Sequence, residues 1–219
     1  MSKLKFKDSS FFKSLLNKKY MVFLSNFVFQ GMRYMTIGEL IFKVSFTFVF
    51  AVFFYLVLDS FLLAIFLGHV ANFALNGQFF VLARYLFSSD AISTDELSEF
   101  IDIIDRSYKW FGVEDVLIIG SFCRVEMGRT SDLDLRILHN SDIMSSTKAY
   151  LYAFFLRFIS MFKKFPMDVY CFSSLSFLNK IREDEFPSYF LGVEKYRTKY
   201  PMARNVKLVL KENVERWKC

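Results

Sequence analysis

The chain has 219 residues, room for one domain and an appendage, and is 54% hydrophobic with 30 Phe while still 23% charged. A net charge of +6, spread along the chain, suits an anionic membrane surface or a polyphosphate rather than a nucleic-acid groove, so no nucleic-acid partner is expected. Cys123, Cys171 and Cys219 are an odd number at wide spacings, which argues against a disulfide framework and a zinc site.

Residues 1–39 mix lysines, from Lys3 to Lys19, with Phe11, Phe12, Leu15, Leu16, Phe23, Leu24, Phe27 and Val28 at helical spacing. This pattern predicts a basic amphipathic segment at a membrane surface, or else a core helix with a solvated lysine face. The first long apolar run starts too far in for a secretory signal.

Residues 40–87 hold the apolar excess. Leu40 to Leu58 carries one charge, Lys43, placed where it can snorkel. As a helix this stretch reaches about 28 Å, close to a bilayer core of about 30 Å. Asp59-Ser60 interrupts, with either residue suited to cap a second helix. Phe61 to Leu82 is a second apolar stretch of about 33 Å, closed by Arg84. The expectation is a transmembrane helical hairpin, with a re-entrant or monotopic hairpin as the alternative and a soluble helical core as a third reading. Basic residues flank the pair and none lies in the turn, which predicts a multi-pass protein of the cell (inner or plasma) membrane with both termini cytoplasmic. His69, Asn72 and Asn76 fall on one helical face, with Gln78 nearby. Such a face should look at protein, through bonds within the hairpin or in a homo-oligomer, or at a polar headgroup. The run from Asn72 to Tyr85, NFALNGQFFVLARY, is similar to a segment of the GtrA-like membrane proteins, which are implicated in polyprenyl-linked sugar handling. That similarity implies a lipid-linked acceptor.

Residues 88–219 read as a cytosolic α/β (α+β) domain with a C-terminal helical extension. Ser93 and Glu96 form a capping box for a helix that keeps period through Leu97, Phe100, Ile101, Ile104 and Tyr108 and ends at Gly112. Val116 to Ile119 is a short buried strand, Leu133 to Leu138 a second, and Met167 to Phe172 a third. Ser145 to Phe165 is an amphipathic helix presenting Tyr150, Phe154, Phe158 and Phe162, and Pro166 stops it. Residues 173–219 begin with a short helix and end in a basic helical segment, Arg204 to Lys218, without a motif.

The stretch from Gly120 to Leu138, GSFCRVEMGRTSDLDLRIL, carries the chemistry. Asp132 and Asp134 leave the same face of a strand, and two carboxylates that close call for a cation such as Mg²⁺ or Mn²⁺. Gly120 lets the backbone approach a phosphate, and Ser121 offers a hydroxyl and an N–H at the start of a short helix. Asp168, on a neighbouring strand, would complete a metal site and take a proton from an acceptor hydroxyl. Arg124, Arg129 and Arg136 are candidates to steady a nucleoside triphosphate.

Gly-Ser, nine residues, Ser-Asp-x-Asp and a third carboxylate one helix later resembles the signature of the DNA polymerase beta-like nucleotidyltransferase superfamily in its minimal form. The matching residues are Gly120, Ser121, Ser131, Asp132, Asp134 and Asp168, and the resemblance covers residues 93–175. It implies a small mixed sheet flanked by helices, Mg²⁺ as cofactor and a nucleoside triphosphate as substrate. One departure is Val125, where members often have glycine; Gly128 is expected to supply the flexibility.

Overall fold

A computed structural model describes residues 19–29, 32, 35–76, 92–128, 130–174, 186–190 and 203–218. Expectations for residues 1–18, for 77–91 (Gln78 and Arg84 among them) and for the short helix after 173 lie largely or wholly outside that range. The described residues form six helices and a five-stranded mixed sheet.

Three helices come first. Helix α1 (Lys19–Phe29) packs on α3 through Phe27, which meets the rings of Phe66, His69 and Phe73. His69 Nε2 donates to the Phe27 carbonyl at 2.8 Å. Helix α2 (Ile37–Leu58) has 22 residues and is long and apolar enough to cross a membrane, the only such helix among the described residues. It begins one turn earlier than its apolar run suggested, because Thr36 caps it by accepting from the Glu39 N–H at 3.3 Å. Asp59 ends it in a left-handed conformation (φ 49°), and α3 (Phe61–Leu75) comes directly after, so the turn at Asp59-Ser60 is as expected. Ser60 holds the cap position without a side-chain bond. Helix α3 has 15 residues, about 22 Å, and is capped at Asn76; the rest of the apolar run expected to reach Leu82 lies outside the described residues.

The two apolar helices pack closely. A Cβ on Gly68 would lie 2.7 Å from the Ala51 backbone nitrogen, so only glycine fits that crossing. Asn72 Nδ2 donates to the Lys43 carbonyl at 3.0 Å and to Thr47 Oγ1 at 2.7 Å, and Asn76 Nδ2 donates to the Asn72 carbonyl at 3.1 Å. Asn72 and Asn76 therefore bond within the hairpin, and the polar face that suggested self-association or a headgroup is largely enclosed there. Lys43 does not snorkel: it is only 2% exposed, for a reason that lies in the sheet domain.

The sheet domain starts at α4 (Thr94–Phe111), whose capping box at Ser93 and Glu96 and left-handed Gly112 stand where the sequence puts them. Strands β1 (Asp115–Ile119), β2 (Leu133–Leu138) and β3 (Met167–Phe172) come next, with α5 (Ile143–Lys163) between the last two. Strand β1 pairs antiparallel with β2, and β2 parallel with β3. Two short strands, β4 (Ser188–Tyr189) and β5 (Arg204–Asn205), extend the other edge to the order β3-β2-β1-β4-β5. Helix α6 (Val206–Lys218) closes the chain, so the expected basic helix from Arg204 opens with a strand. One sheet face, with Val116, Ile118, Leu133, Leu135, Ile137, Val169 and Cys171, joins Leu97, Ile101 and Ile104 of α4 and Tyr152 and Leu156 of α5 in the core.

Candidate functional site

The period of two that turns Leu133, Leu135 and Ile137 into the core turns Asp134 and Arg136 to the opposite face of β2. On β3 the same alternation puts Asp168 and Tyr170 on that face. The parallel register sets Asp134 beside Asp168 and Arg136 beside Tyr170. Neighbouring strands lie about 4.8 Å apart, so the two aspartates stand shoulder to shoulder. Gly120, at the end of β1, adopts φ 80°, and a Cβ there would sit 2.7 Å from Asp134 Oδ2. Glycine is needed at this bend both for its conformation and for the carboxylate pressed against it.

One guanidinium serves the two carboxylates of this face. Arg136 Nη2 reaches Asp134 Oδ1 at 3.4 Å, Nη1 donates to the Leu135 carbonyl at 2.8 Å, and the guanidinium lies 5.0 Å over the Tyr170 ring. The Tyr170 hydroxyl donates to Asp168 at 3.3 and 3.4 Å. Burial raises the Asp168 carboxyl above the usual carboxylate range; Arg136 opposes the shift and the nearby Asp132 adds to it. A group held in that way takes up a proton more readily than a free aspartate.

The other expected residues have separate fates. Asp132 is exposed just ahead of β2, close enough for its charge to reach Asp168. Ser131 Oγ accepts from the Gly128 N–H at 3.1 Å, and its own N–H donates to the Gly128 carbonyl at 3.0 Å, so Ser131 shapes the loop. Arg124 Nε pairs with Glu126 at 2.8 Å within the same loop. Arg129 lies outside the described residues. Residues 120–125 form successive turns and not a helix, so Ser121 has no helix N-terminus to lend a phosphate. Val125, the departure from the family pattern, adopts a left-handed backbone (φ 58°), a rare conformation for a β-branched residue. Among the described residues, no group of three or more His, Cys, Asp or Glu side chains is arranged to hold a metal ion.

Other residues bear on the site without having been singled out. Tyr170 was signalled by its i+2 spacing from Asp168. Helix α6 holds the turn from outside: Asn213 Nδ2 donates to the Phe122 carbonyl at 2.9 Å, Arg216 Nη1 to the Val125 carbonyl at 2.7 Å and Trp217 Nε1 to the Met127 carbonyl at 2.7 Å. Their spacing of three and four along one helix face was the available clue. Glu39 reaches in from the apolar helix. Its Oε1 accepts from Arg157 Nη2 at 2.5 Å and its Oε2 from the Cys171 N–H of β3 at 3.1 Å, while Arg157 also donates to the Val169 carbonyl at 2.6 Å. Lys43, one turn further along α2, is buried because α2 docks here on α5 and β3.

Comparison with protein-family models, with curated proteins and with solved structures found no match to this chain.

Proposed function

We propose that this chain is a membrane-anchored nucleotidyltransferase, moving a nucleoside monophosphate from a nucleoside triphosphate to a hydroxyl or phosphate acceptor with release of pyrophosphate. The observation that carries the reading is the pairing of Asp134 with Asp168 on adjacent strands, beside a bend at Gly120 that a side chain would obstruct. A minimal nucleotidyltransferase fold is part of the same proposal. The mixed sheet and its flanking helices support it.

Asp132, Asp134 and Asp168 are the residues that would hold Mg²⁺ or Mn²⁺. Hard carboxylate oxygens and closely placed negative charge suit a divalent ion. Such an ion supplies charge neutralisation for the triphosphate and for both oxygens of an in-line displacement. Asp168 would also accept the proton of an acceptor hydroxyl at a carboxylate oxygen. Arg136, released from Asp134, turns its guanidinium to a phosphate oxygen. The backbone at Gly120 and Ser121 lies against the triphosphate.

Helix α2, long and apolar enough to cross a membrane, supports the anchor. In this proposal Asp59 lies at the tip, and the basic residues flanking the hairpin argue for both ends on the cytoplasmic side. Confinement to a bilayer raises the effective concentration of a membrane-borne acceptor, such as a lipid-linked glycan or a phospholipid headgroup. The test is transfer of label from α-labelled nucleoside triphosphates with Mg²⁺ in membranes containing the protein. Asp134→Asn and Asp168→Asn should abolish it, and equal transfer by either variant would refute the proposal.

A second reading is a membrane scaffold that binds nucleotide without turnover. The absence of a three-acid cluster among the described residues and the contact of Arg136 with Asp134 favour it. It predicts nucleotide binding with no pyrophosphate release.

A further inference from the structure

The apolar hairpin does not hang from the sheet domain on a linker. Glu39 and Lys43, the charged residues of α2, are both buried, with Glu39 bonded to Arg157 of α5 and to the edge strand β3. Around them the contact is aromatic. Phe42 meets Tyr150, with ring centroids 5.7 Å apart, and Phe46 stacks on Phe154 at 4.6 Å. The described ring contacts between the helices end there. Beyond that point α2 exposes Phe48, Val49 and Val52, while α5 continues its own row through Phe158 to Phe162, which is 66% exposed. The aromatic surface of the hairpin thus runs on without a break onto the sheet domain.

Depth comes from helix geometry. Phe46 lies thirteen residues before Asp59, about 20 Å along the helix. With the Asp59 tip at the far headgroups of a core of about 30 Å, Phe46 and the stacked Phe154 fall roughly 10 Å below the near surface. That is the depth at which an amphipathic helix rests in a bilayer.

We propose that the Phe154-Phe158-Phe162 face of α5 lies in the headgroup and upper acyl zone of the bilayer that the hairpin enters. This rests on the membrane reading of α2 and α3. It holds the sheet domain flat against the membrane and not above it. Because Glu39 at the base of the hairpin bonds the Cys171 N–H of β3, three residues from Asp168, the Asp134–Asp168 face is held at headgroup height. The acceptor class it meets is then a lipid headgroup carrying a hydroxyl or phosphate.

The test is spin-label accessibility in the full chain, carrying Cys219→Ser, reconstituted into vesicles of phosphatidylcholine and phosphatidylglycerol. Single labels are placed through Phe162→Cys, through Leu56→Cys in the hairpin, and through Lys211→Cys on α6, next to the opposite edge of the sheet. All three positions are exposed, so folding is preserved. The expected result is an oxygen-to-nickel-complex collision ratio at position 162 several-fold above that at 211 and below that at 56. A ratio at 162 equal to that at 211, with 56 in lipid, overturns the α5 proposal and leaves the anchor standing. Position 56 in water as well overturns both.

Discussion

Glu39 and Arg157 form a 2.5 Å ion pair across 118 residues of sequence, joining a helix apolar enough for a bilayer to the helix that backs β3. Neither side chain is more than 7% exposed. Removing one partner leaves the other charge buried and alone, which costs about 3–5 kcal/mol. Glu39→Ala should therefore lower stability in detergent by about that amount, measured by denaturant unfolding. Glu39→Leu with Arg157→Met should recover most of the loss, because two apolar groups carry no desolvation penalty. A double variant no better than Glu39→Ala would show that the pair does not join the two parts.

Val125 turns the backbone left-handed in the loop between the Gly120 bend and Asp132. That conformation costs a residue with a Cβ about 1–2 kcal/mol. Val125→Gly relieves the strain but adds backbone freedom to the unfolded chain and removes a partly buried side chain. The net change in unfolding free energy should stay within about 1 kcal/mol of zero. Val116→Gly, in a fully buried strand position, should cost several-fold more. Equal losses at the two sites would show that Val125 is not strained.

Three side chains of α6 donate to carbonyls of the loop after Gly120. Each such bond contributes about 1 kcal/mol, and together they hold a segment that has no helix or strand of its own. Trp217→Phe should preserve most of the ring packing while freeing the Met127 carbonyl. Amide hydrogen exchange in residues 121–128 should then speed up, with β2 and β3 unchanged. Exchange that rises equally in the strands would mean that α6 supports the whole fold and not this loop.

Asp168 is charged at some cost. Burial first, then Asp132, raises its carboxyl above the ordinary range against the pull of Arg136. A folded-state value above the unfolded one means that the fold binds the proton more tightly, so stability falls as pH rises through that window. Asp168→Asn should raise the melting temperature at neutral pH. The advantage should shrink as pH falls and vanish below about 3, under the unfolded-state value of about 3.9, where the wild-type carboxyl is protonated in both states. Loss of transfer together with a gain in stability is the signature expected of a functional acid; an advantage independent of pH would assign the gain to packing.

Much of this architecture is written locally. The capping box at Ser93, the left-handed Gly112, the break at Asp59-Ser60 and the alternation of β2 and β3 each depend on a few consecutive residues, so a short window reveals them. The same alternation puts Asp134 and Asp168 on one face once their strands are neighbours. The two-residue strands β4 and β5 are too short to show any period, and α3 stops at Leu75 within a run that stays apolar to Leu82.

Sequence alone determined which residues could carry charge chemistry, and that Leu40 to Leu58 is apolar enough for a bilayer. Only the tertiary structure decided that Lys43 is buried, that Glu39 is delivered to Arg157, that Val125 takes a left-handed turn, and that α6 grips the loop. The physical reason is range. Backbone preference and hydrophobic period act over one or two turns of chain, whereas a buried charge is stable only where a distant partner is delivered to it, and topology alone does that.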